Sequence, residues 1–273
     1  MTIKKIAVAL SVYKSDNAFY LYQAIESIKN QTYFNFHIFI QVDGPVNLEV
    51  NDLLKKYSHD ESFTIIFNDD NLGLAQRLND IIELVIQNDD FSFIARMDAD
   101  DICHRERFKK QVDYFDTYPD VDVLGSDVCE ISSSGDEIFY KSMLPSHSEI
   151  KKNIIKKCPF NHPSVMFRTS IFKEGFRYKP YLMNTQDYYL WIDLIAGGKK
   201  FANINEPLLN FRVDDFFHHR RGFKKALNDI NSRIYAFKKL KNVNLSNLIH
   251  VSALFLLRIS PPFIKKLAYK NLR

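Results

Sequence analysis

The sequence is poor in the residues that mark several classes of protein. It holds eight glycines, nine prolines and three cysteines among 273 residues. So few glycines and prolines exclude a collagen-like or low-complexity chain. Cys103, Cys129 and Cys158 lie far apart and form no CxxC pair. This spacing excludes a disulfide framework and a site of paired zinc-binding cysteines, and it favours a reducing compartment.

Long apolar runs and targeting signals are also missing. The longest apolar stretch, residues 248–257, is interrupted by His250 and Ser252. Its length is half of the roughly 20 residues that cross a bilayer. The apolar residues 6–10 are too few for the core of a signal peptide, and no cleavage site follows them. We therefore expect a cytoplasmic protein that has no membrane-spanning helix.

Common nucleotide and nucleic-acid motifs are absent as well. Neither GxGxxG nor GxxxxGK[ST] occurs, so a bound phosphate must be neutralised in another way. No motif of a nucleic-acid reader is recognisable, and we predict no nucleic-acid partner.

Apolar residues and an uneven charge distribution dominate what is present. Hydrophobic residues make up 46% of the chain and aromatic residues 14%, which suffices for one sizeable core. The net charge is +4, but residues 215–273 hold 13 Lys and Arg against two acidic residues. The C-terminal fifth of the chain is therefore strongly basic, whereas residues 1–214 are acidic.

The first 125 residues alternate between β-rich runs and helical patterns. We predict strands at 6–12, 36–42, 63–67, 91–97 and 121–124, and helices at 17–30, 48–57, 74–86 and 105–118. This alternation predicts an α/β fold with a mixed, mostly parallel sheet and helices on both faces. After Gly125 we expect a looser mixture, with a helix near 148–155 and separate strands at 200–203 and 208–213. From residue 221 onward we expect only helices, at 221–240, 246–258 and 262–272.

An acidic run follows the fourth predicted strand. Asp98, Asp100 and Asp101 place three carboxylates in four residues, and these repel one another unless a cation lies among them. Mg²⁺ and Mn²⁺ prefer oxygen ligands and commonly share carboxylates with a substrate diphosphate. Ligands of open parallel sheets bind at the carboxyl ends of the strands. The acidic run therefore predicts a metal-bridged diphosphate.

The order of short motifs resembles the family 2 glycosyltransferases, which have the GT-A fold. The nucleotide half carries Ser11-Val12-Tyr13, Ser27-Ile28, Gln31-Thr32, Asp43-Gly44, Asn71-Leu72-Gly73 and Asp98-Ala99-Asp100-Asp101. Further motifs lie at 161–168, 186–191, Arg212 and 220–222. The likeness covers about residues 5–222 and is greatest to the bacterial O-antigen, capsule and exopolysaccharide galactosyltransferase-like branch. It implies a GT-A domain over 1–214, with a nucleotide-sugar half to about 125 and an acceptor half at 126–214, followed by a basic helical extension at 215–273.

This resemblance implies a role for each candidate residue. Asp187 would be the general base of an inverting displacement. Nucleotide-sugar binding would involve Ser11, Tyr13, Asp43, Asn71 and Asp98, with Asp43 facing the uracil. Asp100 would be the main ligand of Mn²⁺ or Mg²⁺, assisted by Asp98. Contacts to the acceptor or to a diphosphate would come from Asp101, His162, Gln186, Trp191, Arg212, Arg220 and Arg221.

Several of these residues keep another interpretation. His162 could equally be a core residue, Trp191 fits a core residue better than a sugar contact, and Asp101 could be a structural carboxylate. Gln186 stands where the family usually has Glu, which puts its contact with the acceptor in doubt. Arg77 lies one helical position away from the arginine of many relatives, a rotation of about 100°, so it cannot simply take over that role.

The implied activity is metal-dependent transfer of a sugar from a UDP-sugar to a saccharide on a polyprenyl diphosphate in cell-surface polysaccharide synthesis. By resemblance, galactose is the first candidate and an N-acetylhexosamine the second. Two alternatives stay open: another nucleotide-sugar enzyme such as a pyrophosphorylase, and a non-catalytic protein that binds carbohydrate or a membrane surface. The missing Gly-rich loop after the first strand is evidence against a pyrophosphorylase.

The basic C-terminal part predicts a location at the inner face of the cytoplasmic membrane. Apolar residues in 248–257 cover a broad face of a helix, and basic residues surround them along the sequence. Such helices lie in the headgroup plane of an anionic membrane surface. The competing interpretation is a helix pair that covers the sheet edge or forms a homodimer.

Overall fold

The computed structural model describes residues 3–182, 185–213 and 223–260. Its strands are β1 (Lys5–Tyr13), β2 (Phe36–Asp43), β3 (Phe63–Phe67), β4 (Phe91–Met97), β5 (Ile102–Cys103), β6 (Val123–Ile131), β7 (Glu137–Lys141), β8 (Met166–Arg168) and β9 (Phe201–Arg212). Its α-helices are α1 (Ala18–Lys29), α2 (Leu48–Tyr57), α3 (Leu74–Ile86), α4 (Arg107–Thr117), α5 (His147–Asn153), α6 (Ser170–Lys173), α7 (Gln186–Ala196), α8 (Phe223–Leu240) and α9 (Leu245–Ile259). A short 3₁₀ helix spans His162–Ser164.

All these strands belong to one sheet. Their order is β3-β2-β1-β4-β8-β6-β9-β5, and β7 pairs with β6 outside this path. β1 runs parallel to β2 and β4, β2 runs parallel to β3, and β6 runs parallel to β9. The short strand β8 is antiparallel to both β4 and β6 and joins the two parallel groups. This confirms the predicted mixed, mostly parallel sheet.

Two apolar cores lie on opposite faces of the sheet. The side chains of a strand alternate between faces, so Ile6 and Val8 of β1 enter one core while Ala7 and Ala9 enter the other. The first core packs the sheet against α1, α2 and α4. The second packs it against α3, α5, α6 and α7. Helices therefore cover both faces, as the alternating pattern predicts.

Local polar residues fix several helix starts. The side chain of Asn17 accepts hydrogen bonds from the backbone N–H groups of Phe19 and Tyr20 at the start of α1. Ser146 and Glu149 form a reciprocal capping box at the start of α5. These bonds satisfy N–H groups that have no partner within the helix. The capping residues place both starts within two residues of the positions predicted from the sequence.

The region after residue 120 differs from the prediction in two places. β6 continues to Ile131 instead of ending at 124, and the strands expected at 200–203 and 208–213 are one strand, β9. The register of β6 against β9 shifts on both sides of Asp127. These shifts accommodate the irregular part of β9 between the two predicted strands. Gly125 lies inside β6, and the Phe160 ring packs so close to its backbone that an added Cβ atom would lie 2.5 Å from Phe160 Cδ1.

The C-terminal helices α8 and α9 dock on the acceptor half. Ala236 of α8 is buried in the second core together with residues of α7. Lys179 pairs with Asp193 of α7 at 2.7 Å, and Tyr235 of α8 hydrogen-bonds to both side chains. The predicted boundary at 214/215 therefore separates segments that share a core. Among residues 3–182, 185–213 and 223–260, no helix is long and apolar enough to span a bilayer.

Candidate active site

The polar strand ends meet at one edge of the sheet. Tyr13 is paired with Asp43 across β1 and β2, and Leu10 with Met97 across β1 and β4. The parallel register therefore brings Ser11, Tyr13 and Asp43 to the same edge as the acidic turn that follows Met97. The expected nucleotide-binding residues are thus neighbours in the fold, and their individual roles stay predictions.

The acidic turn gathers three carboxylates. Each of Asp98, Asp100 and Asp101 offers an oxygen, and these oxygens all lie within 4.8 Å of one another. Desolvation by the surrounding protein, and then the charge of Asp98, raise the pKa of Asp100 to about 6. A divalent cation placed among the oxygens would remove this repulsion, and hard oxygen ligands suit Mg²⁺ or Mn²⁺. The donor set therefore fits the expected metal.

Asp101 faces the protein interior. It is fully buried, Oδ1 accepts the backbone N–H of Arg212 at 2.8 Å, and Oδ2 has no hydrogen-bond partner among the described residues. Burial, and then the charges of Asp98 and Asp100, raise the pKa of Asp101 well above its usual range. This placement favours the structural interpretation of Asp101 over a contact with the acceptor.

Arg212 anchors the acidic turn through hydrogen bonds of its guanidinium group. Its Nε donates to the Asp100 carbonyl, Nη1 to the carbonyls of Ser132 and Ser133, and Nη2 to Gln23. All three guanidinium nitrogens thus have partners within the protein, and the group also stacks on the Tyr20 ring. The structure corrects the expectation for Arg212: it fixes the turn and has no free nitrogen with which to bind a diphosphate.

Asp43 and Asn71 join the end of β2 to the loop before α3. The Asp43 carboxylate accepts the backbone N–H groups of Leu72 and Gly73, and Asn71 Nδ2 donates to the Asp43 carbonyl. Arg77 Nε completes the set at 2.8 Å from Asp43 Oδ1, in a buried ion pair. Asp43 therefore shapes the loop as well as lying at the nucleotide edge. From the sequence Arg77 was given no role. Its position in the first turns of α3, just after Gly73, was the signal that could have found it.

Two further residues at this edge escaped the sequence reasoning. Asp16 accepts the backbone N–H of Tyr13, and burial raises its pKa to about 7, with contributions from Asp100 and Asp98. Arg96 is buried in β4, with Nη1 2.5 Å from Asp98 Oδ1. The signal for Arg96 was its place two residues before Asp98, since alternate residues of a strand share a face.

Asp187 lies in the first turn of α7. Burial raises its pKa above the usual range, while the backbone N–H groups of Tyr188 and Asp187 and the charges of Arg96 and Arg233 act to lower it. A carboxylate whose pKa is somewhat raised is a better proton acceptor than a free one. Beside it, Gln186 Oε1 is buried and has no hydrogen-bond partner among the described residues. Gln186 Oε1 can therefore still accept a hydrogen bond from a substrate hydroxyl group, and the role of Asp187 as the base stays a prediction.

His162 pairs with Tyr178. His162 Nε2 lies 2.8 Å from the Tyr178 hydroxyl, and Tyr178 is buried. Burial, and then the charge of Arg96, lower the pKa of His162 well below its usual range. The lowered pKa favours the neutral imidazole, and the expected contact of His162 with the acceptor or a diphosphate stays a prediction.

Trp191 belongs to the core. It is fully buried, and its ring packs against Phe160, Phe167 and Phe201. No face of the indole is free to stack on a sugar, which corrects the acceptor role expected for it. The remaining two acceptor candidates, Arg220 and Arg221, lie outside the described residues.

Comparisons with known proteins agree with this geometry. Residues 8–176 match the model of the family described as glycosyl transferase family 2. The chain is 30% identical to the amylovoran biosynthesis glycosyltransferase AmsE of Erwinia amylovora over 92% of this chain and 91% of that protein. It is 28% identical to the UDP-Gal:alpha-D-GlcNAc-diphosphoundecaprenol beta-1,3-galactosyltransferase of Escherichia coli, over 98% and 96% of the two chains. The chain therefore belongs to glycosyltransferase family 2.

A solved structure shows the same fold. The crystal structure of S. aureus TarS residues 1–349 in complex with UDP-GlcNAc superposes with a TM-score of 0.68 at 16% sequence identity, covering 93% of this chain and 72% of that one. The fold is thus of the GT-A type. As a family 2 member the protein is a hexosyltransferase, for which an inverting displacement is expected.

Proposed function

We propose that the protein transfers a hexose from a UDP-sugar to a saccharide carried on a polyprenyl diphosphate, in the assembly of a cell-surface polysaccharide. Galactose is the first candidate and an N-acetylhexosamine the second. The observation that carries the proposal is that three carboxylates gather at the carboxyl end of β4, with Asp98 Oδ1 2.5 Å from Arg96 Nη1, in a chain of glycosyltransferase family 2. The charge of Arg96 also acts on Asp187, and a diphosphate site with a base near it suits glycosyl transfer.

The chemistry assigns one task to each acidic centre, the acidic turn and Asp187. Asp187 accepts the proton of the acceptor hydroxyl as its oxygen attacks the anomeric carbon. The bond from that carbon to the diphosphate oxygen breaks, and the electron pair leaves with UDP. Asp98 and Asp100 would hold a divalent cation, which when bound neutralises charge on the diphosphate. The relative from Escherichia coli, named for UDP-Gal and a diphosphoundecaprenol acceptor, supports galactose and this acceptor class.

The location proposed is the inner face of the cytoplasmic membrane. Helix α9 exposes one continuous stripe of apolar and small side chains: Leu245, Leu248, Ile249, Ser252, Ala253 and Leu256. Three exposed lysines, Lys238, Lys239 and Lys241, lie at the end of α8 and just after it. An apolar stripe beside cationic residues is typical of helices that lie in the headgroup plane. This arrangement would hold the active site near a lipid-linked acceptor.

A donor panel tests the proposed activity. The purified protein is incubated with UDP-galactose, UDP-N-acetylglucosamine, UDP-N-acetylgalactosamine or UDP-glucose and a synthetic lipid-diphosphate GlcNAc acceptor, with Mn²⁺ or with EDTA. We expect release of UDP and one new β-linked product with UDP-galactose, and none in EDTA. A product from a second donor would change the sugar assigned. Absence of UDP release from every donor would contradict the proposed activity.

A further inference from the structure

Arg96 is a buried cation whose hydrogen bonds are incomplete. Its side chain is 2% exposed, and Nη1 lies 2.5 Å from Asp98 Oδ1. Nε and Nη2 are also buried and have no hydrogen-bond partner in the described part of the chain. A buried donor without a partner costs free energy, so native structures seldom keep one without a reason.

The other buried arginines show that nitrogens without a partner are a feature of Arg96 and not of every buried arginine. The structure buries Arg77, Arg107 and Arg212 in addition to Arg96 within the described residues. In Arg107, Nε donates to Gln111, Nη1 donates to sulfur atoms, and Nη2 donates to the Arg96 carbonyl. Arg77 and Arg212 likewise use every guanidinium nitrogen. Among these four, only Arg96 has guanidinium nitrogens without a hydrogen-bond partner; in the half-buried Arg233, Nε and Nη1 share this property.

The position of Arg96 indicates where those donors are used. Arg96 is the last but one residue of β4 and Asp98 directly follows the strand, so the two side chains meet at its carboxyl end. The backbone N–H of Arg96 donates to the Val165 carbonyl just after the 3₁₀ helix that holds His162, and the charge of Arg96 acts on His162 and Asp187. Arg96 therefore lies near both the group that would hold the diphosphate and the base.

In glycosyl transfer the sugar of the donor must lie between the diphosphate and the base. The diphosphate leaves from one face of the anomeric carbon, and the acceptor hydroxyl attacks the opposite face next to the base. The sugar ring therefore spans the space between the acidic turn and Asp187. A guanidinium offers its donors in a rigid planar fork, which suits two neighbouring oxygen atoms.

We propose that Arg96 binds the sugar of the donor, with Nε and Nη2 donating hydrogen bonds to its hydroxyl oxygens while Nη1 pairs with Asp98. This inference rests on the proposed function and identifies a residue that recognises the transferred sugar. Arg96 would contribute to the affinity for the sugar part of the donor and little to the affinity for its UDP part. The ion pair with Asp98 fixes the plane of the fork.

Paired binding measurements test this role. The dissociation constants of UDP and of UDP-galactose are measured in Mn²⁺ for the parent protein, Arg96→Gln and Arg96→Lys. In Arg96→Gln we expect the affinity for UDP-galactose relative to UDP to fall about 10- to 100-fold, the loss of one or two hydrogen bonds from a charged donor. Arg96→Lys should lose the same preference in part, because an ammonium has no fork. Binding of UDP reports that each variant is folded.

The matched control is Arg107→Gln, which alters a neighbouring buried arginine whose donors are all used inside the protein. It should lower thermal stability and leave the relative affinity unchanged. An unchanged relative affinity in Arg96→Gln, or an equal loss for UDP and UDP-galactose, would overturn the inference and leave Arg96 as a support for Asp98. A parent protein that binds no uridine nucleotide would instead contradict the proposed function, and the inference with it.

Discussion

The two acidic centres of the site, the turn after β4 and Asp187, are built in different ways. The turn after β4 crowds Asp98, Asp100 and Asp101 together, and their mutual repulsion adds to the effect of burial on the pKa of Asp100. Asp187 is a single carboxyl in the first turn of α7, where backbone N–H groups and two arginines act to lower its pKa against the effect of burial. The first arrangement suits binding of a cation and the second suits acceptance of a proton, so the two centres can divide the two tasks.

The largest effect should follow from breaking the first centre. In Asp100→Ala the diphosphate loses its counter-charge, so we expect no transfer above background together with weaker, Mn²⁺-independent binding of UDP. Folding should survive because Asp100 lies in a turn at the protein surface. Transfer assays and calorimetric titration with UDP, with and without Mn²⁺, measure both effects.

The control for this variant is Asp120→Ala, which removes an exposed carboxylate that pairs with Lys200 on the surface. It should leave transfer and UDP binding as they are. Full activity of Asp100→Ala in EDTA would refute the metal role of the acidic turn.

Breaking the second centre should spare binding. Asp187→Asn keeps the shape of the side chain and removes its ability to accept a proton. We expect turnover at saturating donor to fall about 10²- to 10⁴-fold, with the affinity for UDP-sugar and Mn²⁺ retained. Steady-state kinetics and titration with the donor separate the two quantities. Normal turnover combined with a collapse of donor affinity would show that Asp187 is a binding residue.

The smallest effect on chemistry should come from the surface of α9, which leaves both centres intact. In Leu248→Asp/Ile249→Asp we expect binding to anionic vesicles to fall about tenfold or more, since burying each such side chain contributes about 1.5 kcal/mol or more. Vesicle binding of the parent should also weaken as ionic strength rises. Co-sedimentation measures both, and transfer to a water-soluble acceptor should be unchanged.

Ile138→Asp provides the matched control for α9, because Ile138 is a comparably exposed residue on β7. Its vesicle binding should equal that of the parent. If neither the parent nor the variants bind vesicles at low salt, the membrane location is wrong and the stripe on α9 covers another surface.

Much of the nucleotide half could be predicted from the sequence, because its structure depends on short-range patterns. Alternating apolar runs and amphipathic helices fix the strands and helices up to residue 120, and a polar residue after each strand marks the binding edge. The later half was harder to predict because its strands depend on distant partners. β6 and β9 pair with each other along most of their length, across the register shifts at Asp127, and β7, β8 and β5 add further pairs.

The site divides in the same way. By itself the sequence determined the α/β alternation, the carboxylate cluster that follows β4 and the family to which the chain belongs, since each is written in consecutive residues. Tertiary structure alone decided which candidate side chains are free to act: Arg212 is bonded to the backbone of the acidic turn, Trp191 is buried in the core, and Arg96 keeps nitrogens without a partner. Whether a side chain is free depends on the segments that fold against it, and these come from far along the chain.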